Sequence, residues 1–247
     1  MLSVEDPLTP GATATPARAA SPQRVHSLAR AARQDILRRL APPLRHDLVV
    51  HLQSLGMMAE ALGARVERGA VAQEDLQSSI SKLNRLARQA VARCLEVCTW
   101  MEPGEDDTAA LREGVADTVR LLSTGLDFRG FALRTELAEG EFAVSRSALR
   151  FLLAAAILTL ADAAPGPGEI AIRAEPSASH GVIAVEYQPR PEGSFTQLHE
   201  AGDAPLAWPE VQALALEHGV ELLRNSQAII LRLPRAVVTT PLKMVPV

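Results

Sequence analysis

The sequence predicts an α+β protein in which a helical hairpin, paired with a second copy as a dimeric four-helix bundle, is followed by an α/β sandwich. Two periodic seams predict the hairpin. Apolar residues recur at steps of three or four through Leu44, Leu48, Leu52, Leu55, Ala59, Leu62 and Val66, and again through Leu76, Ile80, Leu83, Leu86, Ala90, Cys94 and Val97. The sandwich is predicted by the chain beyond EPGEDD (residues 102–107), where helical and strand-like alternating patterns succeed one another.

In chain order, residues 1–22 are rich in Pro, Ala, Ser and Thr without apolar periodicity, which predicts a disordered tail. A helical domain spans 23–102. Its first helix runs from Ser27, read as the N-cap, to Leu40, with Arg30, Arg33, Arg38 and Arg39 as a solvated face. Pro42 and Pro43 are expected to break that helix and open a new one. Gly69 through Glu74 makes the hairpin turn. A lone hairpin leaves much of its apolar stripe wet, so a homodimer is the economical solution.

Residues 103–108 form a linker, 109–235 the sandwich and 236–247 a C-terminal tail. Within the sandwich, helices are predicted over 111–122, 145–164 and 209–218, and strands over 131–137, 169–175 and 182–187. A hairpin of 220–224 with 228–233 closes the domain. Ser145 caps the long buried helix.

Composition excludes several function classes. The 247 residues are 47% hydrophobic with a net charge of −4, which gives no electrostatic reason to expect nucleic acid. No secretion signal opens the chain, and Phe151–Leu158 is too short an apolar run to span a bilayer. Cys94 and Cys98 lie one helical turn apart, where they pack rather than pair. A soluble cytoplasmic protein that touches no membrane is the expectation.

Candidate chemistry centres on LRHDLVVHLQSL, residues 44–55. His46 lies about 200° around the helix from Leu48, so it faces solvent while the leucines face inward. An exposed imidazole next to a carboxylate, Asp47, is suited to nucleophilic work.

This stretch resembles the phosphoacceptor motif of two-component sensor histidine kinases, where a histidine, an acidic and an apolar residue open the first helix of a dimerisation hairpin. The resemblance covers roughly residues 23–234 and implies that His46 is the phosphoacceptor, Asp47 its acidic neighbour and Leu48 the apolar position. Val50 stands where the family often has Thr or Asn, and His51 where proline is usual, which argues against phosphatase activity. The order of elements after residue 108 resembles the ATP-binding domain of the same family.

The nucleotide-binding residues of that family are missing. Its key magnesium-binding asparagine falls on Thr159 here and its partner on Ala155; neither offers an equivalent amide. QPRPEGSF (188–195) has no aspartate to read adenine, and Gln197–Trp208 carries only Gly202 where a glycine-rich lid belongs. Phosphoryl transfer relies on positioning and charge neutralisation, so the combined losses predict a degenerate site with no intrinsic cofactor.

The expected function is a histidine phosphotransferase relaying phosphate between response-regulator receiver domains, with Mg2+ supplied by the receiver. His46 is the nucleophile and Asp47 orients it; Arg45, Val50, His51, Ser54 and Met57 extend along the docking face, with His51 a weaker second acceptor. A sensor kinase is a further candidate partner. The alternatives are a non-catalytic dimeric regulator that binds a kinase or receiver, and a divergent active kinase. His26, His180, His199 and His218 are too scattered to assemble a metal site. Ser145 and Ser147 are expected as cap residues, and Trp100 and Trp208 as packing anchors.

Overall fold

A computed structural model describes residues 21–69, 72–101, 107–190 and 204–236. The sequence readings for 1–20, 102–106, 191–203 and 237–247 lie outside these residues. They include most of both tails and of the linker, the adenine-reading segment from 191, most of the lid and His199.

Two long helices form the hairpin. α1 (Pro22–Glu67) has 46 residues and α2 (Gln73–Met101) has 29. Gly69, at φ 66°, takes the left-handed conformation that ends α1, its amide donating to the Val66 carbonyl at 2.9 Å.

The expected break at Pro42 and Pro43 does not occur: both lie inside the continuous α1. Each proline lacks an amide hydrogen, so the carbonyls of Arg38 and Arg39 lose their helical donors, and a proline inside a helix costs about 3 kcal/mol. Tertiary burial offsets this, because Ala29, Ala32, Ile36 and Leu40 before the prolines are 0–1% exposed and Leu44 after them is 9% exposed. Two fully buried aliphatic side chains of that size contribute about 1.5–3 kcal/mol each. The helix also starts earlier than expected. Ser21 is the N-cap residue and Pro22 opens the first turn, while Ser27 sits inside the helix with its hydroxyl donating to the Gln23 carbonyl.

The remaining elements are β1 (Thr108–Ala110), α3 (Leu111–Phe128), β2 (Phe131–Leu137), β3 (Ala143–Ser145), α4 (Arg146–Ala163), β4 (Gly168–Pro176), β5 (His180–Pro189), α5 (Trp208–Glu217), β6 (Glu221–Arg224) and β7 (Ala228–Pro234). The main sheet has the order β2-β4-β5-β7-β6, parallel at β2–β4 and antiparallel elsewhere. β1 and β3 make a separate antiparallel pair that the sequence did not announce. A helical hairpin followed by a sandwich is therefore the architecture, and the fold class is α+β.

α4 is the centre of the core, with Ser147 through Ala161 buried without a break. Ser145 caps it, accepting from the Ala148 amide at 3.3 Å; Ser147 is buried in the first turn and makes no cap. α3 packs closely on α4, and Gly114 is what allows it: a Cβ there would meet Leu149 Cδ2 at 2.2 Å.

The first half of α1 packs on α5, α3 and α4, forming an outer helical layer on the sandwich. Two of the arginines expected on a wet face instead tie the layers together. Arg39, its side chain 5% exposed, bonds Asp162 at 2.6 Å, and Arg33 bonds Glu217 at 2.8 Å. Residues 22–44 thus belong to the core that also holds the sheet, and so does the end of α2, where Trp100 is 2% exposed. Trp100 meets Phe151 edge-on at 5.7 Å and lies under the Arg150 guanidinium at 5.1 Å. Trp208 is half-buried beneath Arg224 at 4.6 Å.

Candidate functional site

Beyond Leu44, α1 leaves the core as one arm of the hairpin, and its burial follows the helical period. Leu44 is buried and Leu48, His51, Leu55, Met58 and Leu62 are half-buried towards α2. His46, Val50, Ser54 and Met57 fall on the opposite face, within about 80° of one another, and all are exposed. Val50 is 42% exposed and Met57 69%, and the Ser54 hydroxyl donates to the Val50 carbonyl at 2.8 Å. Arg45 is also exposed.

The structure therefore separates the two histidines that the sequence offers. His46 is on the open face; His51 has turned towards the hairpin interior. The Asp47 side chain is not among those described.

A third stripe runs along the hairpin. Leu52 and Val66 on α1 are 52% and 51% exposed, and Ile80, Val91 and Leu95 on α2 are 46%, 59% and 62% exposed. The sequence seam that contained Leu52, Ala59 and Val66 is thus split, with Leu48, Leu55 and Leu62 facing α2 and the others facing outward. Cys94 and Cys98 are free and exposed rather than packed, next to this outward stripe.

His46 does not stand in open solvent on every side. It lines a groove of about 260 Å³ with Pro42, Pro43 and Leu44 of α1, Arg93 and Val97 of α2, and a row on α3 that includes Leu121, Gly125 and Phe128. α3 has two working faces. Leu111, Val115, Thr118, Leu122 and Leu126 are buried in the core, whereas Leu121, Thr124, Gly125 and Phe128, at helical spacing, turn to the hairpin.

Phe128 is 87% exposed, while Phe131, Phe142 and Phe151 are 3%, 2% and 1% exposed. Sequence reasoning missed this residue because it ended the helix at Leu122, before the second face completes its repeat. The spacing 121/124/125/128 was the available signal.

The positions expected to have lost nucleotide ligands lie in the core. Ala155 is 0% exposed and Thr159 5% exposed, with the Thr159 hydroxyl oxygen lacking a hydrogen-bond partner among the described residues. At the C-terminal end of α4, Asp162 accepts from Arg39 at 2.6 Å and from Arg129 at 3.0 Å.

At the far end of α1, His26 and Arg33 both reach Glu217, and Arg33 donates to His218 at 3.2 Å. Burial pushes the His218 imidazole below its ordinary pKa; the Arg33 guanidinium adds to the effect and Glu217 opposes it. No group of three or more His, Cys, Asp or Glu side chains with metal-site geometry occurs among the described residues. No helix among them is long and apolar enough to cross a membrane.

No family model matches the chain, and no curated protein matches it. Solved structures do. The chain is similar to the catalytic domain of histidine kinase ThkA at 16% identity over 53% of this chain and 97% of that one, with a TM-score of 0.43. It is similar to histidine kinase AdeS of Acinetobacter baumannii at 12% identity over 78% and 98%, with a TM-score of 0.41. A bacterial phosphotransferase aligns at 18% identity over 81% and 96%, with a TM-score of 0.36.

Proposed function

We propose that this chain is a histidine phosphotransferase that passes a phosphoryl group between receiver domains through His46, as a homodimer. The observation that carries the reading is the position of His46: exposed, and held on a helix whose preceding turns are fixed in the core at Ile36, Leu40 and Leu44. A nucleophile on such a base loses little orientational freedom when a partner docks.

The transfer needs little else from this chain. A neutral imidazole nitrogen of His46 attacks phosphorus in line, and the bond from phosphorus to the receiver's aspartyl oxygen breaks. The aspartate leaves as a carboxylate, and the imidazole sheds its other ring proton to water or to Asp47. Return transfer to a second receiver reverses these steps. Magnesium held by the receiver's acidic cluster neutralises the transferring oxygens. Arg45 is positioned in sequence to meet those acids, and Val50 and Met57 offer exposed apolar contacts on the face that carries the nucleophile.

Two further observations support the reading. Ala155 and Thr159 are enclosed in the packing of α4, which leaves neither side chain open to a metal-bound phosphate. The outward stripe of Leu52, Val66, Ile80, Val91 and Leu95 lies on a different side of the hairpin from His46, so a second copy covering the stripe leaves the histidine accessible.

The experiment is phosphoryl transfer from a 32P-charged receiver to the chain in Mg2+. Label on the wild type but not on His46→Ala supports the relay. Label taken directly from ATP supports an active kinase instead, and no label from any receiver of the source organism supports a non-catalytic regulator.

A further inference from the structure

The groove beside His46 has a chemistry of its own. Its walls are apolar at Pro42, Pro43, Val97, Leu121 and Phe128, its charged side chains are Arg93 and Arg120, and no carboxylate lines it among the described residues. Arg120 pairs with Asp117 at 2.9 Å, outside the lining, and its side chain remains 53% exposed. Phe128 stands at the mouth with nearly its whole ring in water, although every other described phenylalanine is in the core. An aromatic ring left exposed beside basic groups is the composition of an interface anchor rather than of an ordinary surface.

The geometry points to Phe128 and this groove as the specificity-determining contact for the receiver: they take a receiver segment that presents an apolar side chain flanked by carboxylates. The inference rests on the phosphotransfer reading of His46 and adds α3 to the docking surface. Charge and position decide the occupant. A receiver engaging His46 brings an acidic cluster to the groove's edge, where Arg93 and Arg120 complement it and Phe128 covers an adjacent apolar residue. α3 is fixed to α4 through Gly114 and buried Leu122 and Leu126, so Phe128 is presented on a rigid element.

The test uses the full chain and every receiver domain of the source organism, each charged with acetyl phosphate in Mg2+. Binding is titrated calorimetrically against His46→Ala, in which transfer cannot drain the phosphate. For the receiver that binds, adding Phe128→Ser weakens affinity by roughly tenfold or more. Arg93→Glu weakens it with a shallower salt dependence, and Leu223→Ser, an exposed apolar change on the β6 edge, leaves it unaltered. With His46 restored, Phe128→Ser raises KM for the receiver and leaves kcat in place.

Unchanged affinity in Phe128→Ser overturns the groove assignment while label on His46 keeps the relay. Affinity lost in Phe128→Ser with no label on His46 supports the groove and removes the relay. Conversion of a dimer to a monomer by Phe128→Ser assigns the groove to a second copy and overturns the inference. Absence of binding by any receiver overturns both.

Discussion

Asp162→Asn tests whether the hairpin is rooted in the sandwich or merely tethered to it. Asp162 joins three elements: its carboxylate accepts from Arg39 of α1 at 2.6 Å and from Arg129, just past α3, at 3.0 Å, while sitting at the end of α4. The Arg39 and Asp162 side chains are 5% and 12% exposed, so removing the carboxylate charge weakens an ion pair that water barely reaches. Breaking a buried pair from one side costs about 3–5 kcal/mol. The lower end applies here, because Arg39 also donates to the Ala204 carbonyl and Arg129, 36% exposed, can turn to solvent. We expect a loss of about 3 kcal/mol in urea unfolding followed by circular dichroism and tryptophan fluorescence, or roughly 6–12 °C in Tm. Arg39→Met with Asp162→Leu together should cost less than the two separate changes, with a coupling of about 1.5 kcal/mol or more. An Asp162→Asn protein within about 0.5 kcal/mol of wild type refutes the rooted hairpin.

Four other perturbations have definite expected outcomes. Trp100→Ala empties the site between Phe151 and Arg150 and should cost about 3–5 kcal/mol by the same unfolding assay. Phe128→Ser, at 87% exposure, should leave stability within about 0.5 kcal/mol of wild type, which keeps its binding effect interpretable. Leu52→Glu with Val91→Glu should convert a dimer to a monomer in sedimentation velocity; a dimer unchanged by both would rule out the outward stripe as the dimer face. Because the folded pKa of His218 lies below its unfolded value, the unfolded chain takes up the proton first as pH falls. Stability should therefore decline from near pH 6.5 downward through the lower folded value, and His218→Gln should flatten that part of a Tm-against-pH curve.

The sandwich was largely legible because its strands and helices are locally consistent. Ile170, Ile172 and Ala174, or Ile229, Leu231 and Leu233, alternate as a half-buried strand should, and Ser145 announces α4. The prolines misled for a physical reason. Their local cost is real, but the burial of Ile36, Leu40 and Leu44 offsets it, and no local rule sees that burial. The same blindness hid the roles of Arg33 and Arg39, whose partners lie more than a hundred residues away in sequence.

The face that carries His46 was legible from helical angles alone, since His46 and the leucines of the seam cannot share a side. The groove was not, because it is made by α1, α2 and α3 together, and only folding brings Phe128 to the groove that His46 lines. Likewise the sequence showed one apolar stripe on each arm, whereas the structure resolves two on α1: one facing α2 and one facing outward.

The most direct test of the central claim is the site of label after incubation with a 32P-charged receiver in Mg2+. We predict acid-labile, alkali-stable label on the wild-type chain, mapped by peptide analysis to His46 and absent from His46→Ala. Label that persists in His46→Ala, or that comes only from ATP, would contradict it.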